Sequence, residues 1–295
     1  MVENTKSIDR VAGLILALGM GFVLLPLVVA LVTATQAYET VLTGGLSWLP
    51  GDQLLVNIAR VFEETALPGQ LVNSFVAAML VATLKCLFAF MTALAIVFFQ
   101  IRWGGALFAL TLVTIMLPLD LRVITTYQVA ADVGMPVNLV LDVFGIGPLM
   151  RLSVLDTWFG LAAPLVAHGT GTFLFRQAFL AMPRDLPRAA VMDGAGPVRF
   201  ALDILLPLSR APLIALFIMM FLGGWTQYLW PLVAASRPDM QTAVVGLSRL
   251  ANDMPGAVPD YPLIMAGALV VSAIPLAMVA LLQRFIVRGY ALSEK

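Results

Sequence analysis

Residues 74–99, SFVAAMLVATLKCLFAFMTALAIVFF, form an apolar run with a single charge inside it, Lys85. A helix crosses the hydrocarbon core of a bilayer with about 20 apolar residues, so this run predicts a membrane span. Five further runs of similar character lie at 11–33, 105–127, 158–182, 212–235 and 261–287. The composition of the whole chain agrees. Its 295 residues are 61% hydrophobic and 12% charged, with a mean hydropathy of +0.97, whereas soluble domains carry about 25% charged residues. No single core hides that much apolar surface, which excludes a water-soluble enzyme, a nucleic-acid reader and a disordered chain. The expected fold is an all-α integral membrane protein with six transmembrane helices. Pro118 and Pro275 fall within spans, which is tolerated where neighbouring helices satisfy the freed carbonyls. The first run exceeds the roughly 7–15 apolar residues of a cleaved signal peptide and reads as a retained helix.

Charge sets the orientation. With the N-terminus inside, eleven Lys and Arg residues fall on inner segments, from Lys6 and Arg10 through Arg176, Arg188 and Arg199 to Lys295. Five fall outside: Arg60, Arg122, Arg151, Arg237 and Arg249. Cytoplasmic loops carry the excess of positive charge, so both termini are expected in the cytoplasm. The outer segment 128–157 contains a fairly apolar piece, 137–152, too interrupted by Asp142, Gly145, Gly147 and Pro148 to span. It reads as re-entrant or surface-lying. No internal repeat is visible, so the inverted-repeat sign of many secondary transporters is missing.

The chain has three lysines, one cysteine (Cys86) and one histidine (His168). No lysine follows a glycine, so there is no phosphate-binding P-loop. One cysteine and one histidine make no metal cluster. The chain is expected to bind no cofactor and to catalyse nothing itself. His168, beside Ala163, Ala167 and Gly171 on a small-residue face, reads as a hydrogen-bonded packing histidine.

The inner segment 183–210 is too long for a simple connector. Asp185 suits an N-cap and Pro187 the first helical turn, where a missing N–H costs nothing. Gly194 suits the left-handed residue that ends a helix. Gly196-Pro197 opens a second helix running through Phe200 and Ile204 to Pro207. Two short helices with a corner at Asp193-Gly194 are expected, their apolar side chains free to dock on another protein.

The stretch RAAVMDGAGPVRFALDILLP, 188–207, resembles the EAA loop of binding-protein-dependent ABC importer permeases. Ala189, Ala190, Asp193, Gly194, Ala195, Phe200, Ile204, Leu206 and Pro207 match the family pattern. Arg188 stands where the family usually carries glutamate, a departure that bears on the acidic contact usual there. The stretches NSF at 73–75, MLP at 116–118, TFLFRQ at 172–177 and QYLWPL at 227–232, with the tail QRFIVRG, are similar to the second-permease type of the sugar and polyol branch that carries glycerol-3-phosphate. The resemblance implies a permease subunit in the bacterial cytoplasmic (inner) membrane. It implies an EAA coupling loop at 183–210, between the fourth and fifth spans, that docks on an ATPase through Arg188, Ala189, Ala190, Asp193, Gly194 and Ala195. The implied partners are a second permease in a heterodimer, two copies of an ABC ATPase holding ATP and Mg, an external solute-binding protein and the lipid bilayer. The implied cargo is glycerol-3-phosphate or a related phosphodiester or polyol. A permease for a neutral sugar or oligosaccharide is the alternative, and a secondary transporter the third reading.

Five residues are candidates for the substrate path. Lys85 lies near mid-bilayer at about 1.5 Å rise per residue, where a lysine faces protein or a wet cavity. It serves either an anionic substrate or a structural role on helix carbonyls. Arg122 either attracts an anion near the outer side or snorkels to headgroups. Trp225, Gln227 and Tyr228 follow the Gly223-Gly224 pair and suit a polyol or sugar-like ligand. Trp230 reads as part of an interfacial aromatic belt.

Overall fold

A computed structural model describes residues 6–45, 47–99, 101–116, 118–145, 147, 151–166, 169–183, 185–252 and 258–291. His168 lies outside them, as do Ala167 and Arg184. Every regular element among them is helical. In chain order they are α1 (Lys6–Ala34), α2 (Tyr38–Gly44), α3 (Leu54–Glu64), α4 (Leu67–Phe98), α5 (Gly104–Met116), α6 (Val123–Ala131), α7 (Met135–Val143), α8 (Trp158–Val166), α9 (Thr170–Leu180), α10 (Leu186–Met192), α11 (Pro197–Arg199), α12 (Leu206–Leu208), α13 (Arg210–Trp225), α14 (Leu229–Ala234), α15 (Ala243–Asn252) and α16 (Tyr261–Ala291). A wide π-type stretch, Phe200–Leu205, joins α11 to α12, and a 3-10 turn, Leu119–Arg122, precedes α6.

Three helices, α1, α4 and α16, are long and apolar enough to cross a membrane among the described residues. The number is four if Pro197–Leu208 and Arg210–Trp225, bent by 78°, are one span. Two of the other expected spans are divided. The run 105–127 ends as helix at Met116, because Pro118 adopts an extended conformation and starts the 3-10 turn that leads into α6. The run 158–182 holds α8 and α9, which flank residues 167 and 168, outside the described ones. The run 212–235 breaks after Trp225, and Pro231 explains why: in a continuous helix its ring would meet the carbonyl of Gln227, four residues back, so α14 restarts with the proline in its first turn, where no N–H is needed.

The chain forms two compact units, Met1–Pro68 with Gly246–Ala273, and Gly69–Val245 with Ile274–Lys295. In the first, the Asn57 amide donates to the carbonyls of Ala34 and Gln36, both at 2.9 Å, closing the turn after α1. Arg60 pairs with Glu64 at 3.1 Å and Asp260 at 2.9 Å. These bonds, Glu64 first, hold its guanidinium above its already high ordinary pKa against the burial that opposes it. The apolar window of α1 buries nothing inside the chain.

In the second unit, α4, α9 and α13 meet closely. A Cβ on Gly171 would stand 2.7 Å from the Ala89 Cβ and 3.1 Å from Leu216. Below that contact Phe90, Phe175 and Phe179 pack edge to face and tilted, with centroids 5.5–5.7 Å apart. At the other end Asn73 donates to the carbonyls of Asp239 (2.7 Å) and Gln241 (3.1 Å) and accepts from the Trp158 indole N–H (2.9 Å). Ser74 Oγ accepts from the Ala243 N–H at 2.8 Å. Two polar residues at the entrance of an apolar helix thus fasten a loop and an indole whose polar groups would otherwise be buried bare.

Candidate translocation site and coupling corner

Lys85 projects from the middle of α4, half-buried, into a cavity of about 430 Å³. Arg122, at the end of the 3-10 turn, lines the same cavity. So do Thr92 of α4, Thr111 of α5 and Thr172 of α9. The proline break at 118 is what swings Arg122 there, since it replaces helix with a turn at the right depth. The two charges are close enough to repel. Neither forms an ion pair among the described residues, and Arg122 Nε is buried with no protein partner. Cations in a low-dielectric setting are costly unless paired, so a cavity walled by two of them suits an anion.

Lys85 also borders a smaller cavity, about 190 Å³, with Gln227, Thr170 and the Gly223-Gly224 pair. Of the two, Gly224 matters through space: a Cβ there would stand 3.1 Å from the Ala78 Cα, where α13 approaches α4 closely, whereas a Cβ on Gly223 would meet open space. Gln227 therefore joins Lys85. The other aromatic candidates do not. Trp225 is 2% exposed and stacks on Phe221 with centroids 5.8 Å apart, as part of the packing around α4 and α13. Tyr228 sits in the break before α14, at the surface and outside both cavity linings. Trp230 corrects the belt reading: it is fully buried and donates its indole N–H to the Gly160 carbonyl at 3.1 Å.

Sequence reasoning missed the threonines, because an isolated hydroxyl in an apolar helix satisfies itself on the preceding turn, as Thr111 does on the Phe108 carbonyl at 2.7 Å. It also counted Arg176 only as inner-side charge. The Arg176 guanidinium lies 4.2 Å above the Phe108 ring, and its Nε is buried without a partner.

The inner segment holds the expected corner. Gly194 has φ +74, and its N–H and that of Ala195 donate to the carbonyls of Val191 (3.0 Å) and Ala190 (2.9 Å). That paired pattern is the Schellman helix stop, with Gly194 as its left-handed residue. Asp185 occupies the N-cap position without capping; its carboxylate instead faces Arg188 at 3.7 Å, both exposed. Ala190 is buried, while Ala189, Asp193 and Gly194 are exposed and Ala195 is half-buried. Around them Val191, Met192 and Val198 are 72%, 88% and 71% exposed, an apolar face that none of the described residues covers.

No family model matches the chain. Over its full length it is 36% identical to the sn-glycerol-3-phosphate transport system permease protein UgpE of Agrobacterium fabrum, covering all of that protein. The proteins of the same name from Brucella melitensis biotype 1 and Yersinia pestis bv. Antiqua are 37% and 36% identical, again with both chains fully covered. Among solved structures it resembles a chain of a bacterial ABC transporter involved in the import of the acidic polysaccharide alginate, with a TM-score of 0.73 at 18% identity, covering 96% of this chain and 98% of that one. A second match is a chain of the bacterial alginate ABC transporter in complex with a periplasmic protein bound to an alginate pentasaccharide, with a TM-score of 0.61 at 14% identity and the same coverage. At those identities the likeness is one of fold.

Proposed function

This chain belongs to the family of sn-glycerol-3-phosphate transport system permeases, subunits of ABC importers, and on that premise we propose that it forms part of the membrane path for glycerol-3-phosphate, with Lys85 and Arg122 as the counter-charges. The observation that carries this reading is the cavity walled by two cations that have no carboxylate partner among the described residues. A phosphate monoester carries close to two negative charges near neutral pH. Crossing hydrocarbon without compensation is prohibitive for such a group. Gln227, which lines the smaller cavity with Lys85, suits the glycerol hydroxyls. A neutral sugar gives no account of the unpaired charges.

The same reading gives six spans, with α5–α6, α8–α9 and α13–α14 each crossing as a divided helix and both termini in the cytoplasm of a bacterium whose inner membrane holds the protein. Broken helices are compatible with a bilayer where the irregular backbone is buried in protein or lines a cavity. The second permease completes the path. The corner at Gly194, with its exposed Val191 and Met192, seats on one of two ATPase subunits, which hydrolyse ATP; Arg188 meets the ATPase in place of the usual acid. An external binding protein delivers the cargo. The test is to purify the assembled complex and measure ATPase activity with its binding protein and a panel of ligands. Stimulation by glycerol-3-phosphate and not by neutral sugars is expected; stimulation by a neutral sugar alone would overturn the substrate assignment.

A further inference from the structure

Arg176 lies on α9 one turn beyond Thr172, and Phe108 on α5 one turn from Thr111 on the opposite heading. Thr172 and Thr111 wall the cavity of Lys85 and Arg122. The cation and the ring therefore lie one helical turn outside the cavity lining, on the same helix faces as the two threonines and on the side leading to α10 and the Gly194 corner. The two helices are in register there, with Phe108 stacked on Phe173 at 6.3 Å.

The arginine is stored, not spent. A guanidinium that stacks on a ring uses its face and keeps its N–H edge for ligands. Arg176 has no ion pair among the described residues, and its Nε is closed off from solvent without a partner. An arginine that merely snorkelled to the headgroups would turn its head away from the protein; this one lies over Phe108 at 4.2 Å.

We infer that Arg176 is a second anion station, which takes the phosphoryl group after Lys85 and Arg122 and holds it until release on the inner side. Phe108 parks the guanidinium while the station is empty. The planar fork matches two phosphoryl oxygens at once, so it grips the phosphate rather than the glycerol. With cations one helical turn apart along α9 and the cavity beside it, the cargo leaves one charge only as it meets the next. This inference rests on the reading that the cargo is a phosphate ester.

The test uses the full complex, with partner permease, ATPase and binding protein, reconstituted in liposomes. Uptake of glycerol-3-phosphate is compared for wild type, Arg176→Gln, Arg176→Lys and Lys85→Met. Arg176→Gln is expected to slow uptake about tenfold or more, the scale of one lost charge-assisted contact. Arg176→Lys is expected to restore most of it, because it keeps the charge and loses only the fork. Wild-type uptake in Arg176→Gln beside slow uptake in Lys85→Met would overturn the second station and leave the first. Wild-type uptake in both would overturn the anion path itself. Equal loss in Arg176→Gln and Arg176→Lys would show that a positive charge at this position is not what uptake needs and would overturn the station as a counter-charge. Should Arg176→Gln fail to assemble, Arg176→Met decides, since it removes the charge and relieves its desolvation: slow uptake of glycerol-3-phosphate supports the station and wild-type uptake refutes it.

Discussion

Single residues here are constrained by space and by conformation, and the two constraints predict different failures. Gly194 has open space around a would-be Cβ, but its φ of +74 is one that a β-branched residue rarely adopts. Gly194→Val costs on the order of 1–2 kcal/mol at that backbone conformation, and it is spent at a corner with an uncovered apolar face rather than in a core. The chain should insert and pair normally while ligand-stimulated ATPase activity falls; full stimulation in this variant would remove the corner from coupling. Gly171 is the reverse case, with ordinary helical backbone and no space. Gly171→Leu drives α9 away from Ala89 and Leu216, an overpacking that costs about 1–3 kcal/mol. A lowered unfolding midpoint in detergent is the expected outcome, and an unchanged one would mean that α4, α9 and α13 repack freely. Gly194 could be recognised in sequence because a helix stop has a pattern. Gly171 was legible only as part of a small-residue face, and the residue it touches could not be named.

Elements show where an apolar pattern stops being informative. Composition marks a run as fit for the bilayer, and α1, α4 and α16 follow their runs closely. It does not mark a break, because backbone at membrane depth needs only a buried partner or a cavity, not a polar residue, to leave the helix. Pro118 and Pro231 are the physical causes of two of the breaks, and both were visible, yet a proline can equally sit inside a continuous helix, as Pro275 does in α16. The break at 118 brings Arg122 to Lys85, so the site depended on a feature that periodicity could not report. Trp225 and Trp230 went the other way: aromatic residues look alike in sequence whether they line a path, sit at an interface or fill a core, and here both fill the core. The polar start of α4 supplies a prediction at this scale. Asn73→Ala removes the hydrogen bonds to the Asp239 and Gln241 carbonyls and from the Trp158 indole N–H, and a buried unsatisfied group costs about 1–3 kcal/mol. The variant should unfold at lower temperature while retaining its ligand preference; a changed preference would give Asn73 a part in the path.

At the scale of the molecule, import of an anion depends on a topology and a charge. With both termini inside, Ser236 belongs to an outer loop and Gly196 to the inner corner; each is exposed within the chain. In a background of Cys86→Ala, a membrane-impermeant maleimide should label Ser236→Cys from outside intact cells and Gly196→Cys only after the membrane is opened. The reversed pattern would invert the orientation and with it the coupling face. The fold class was plain from hydrophobic content and the family from the 188–207 loop, because both are local properties of the chain. The cavity was not, because it joins residues of α4, α5, α9 and the turn at 119–122 that share no spacing. The charge that matters most is that of Lys85, and Lys85→Met removes it. It keeps side-chain length, removes the ammonium and relieves its desolvation, so the protein should assemble at least as well as wild type. Uptake into liposomes by the reconstituted complex should then fall at least about tenfold for glycerol-3-phosphate, one lost charge-assisted contact. Uptake of glycerol-3-phosphate by Lys85→Met at the wild-type rate would contradict an anion path and leave Lys85 a structural charge.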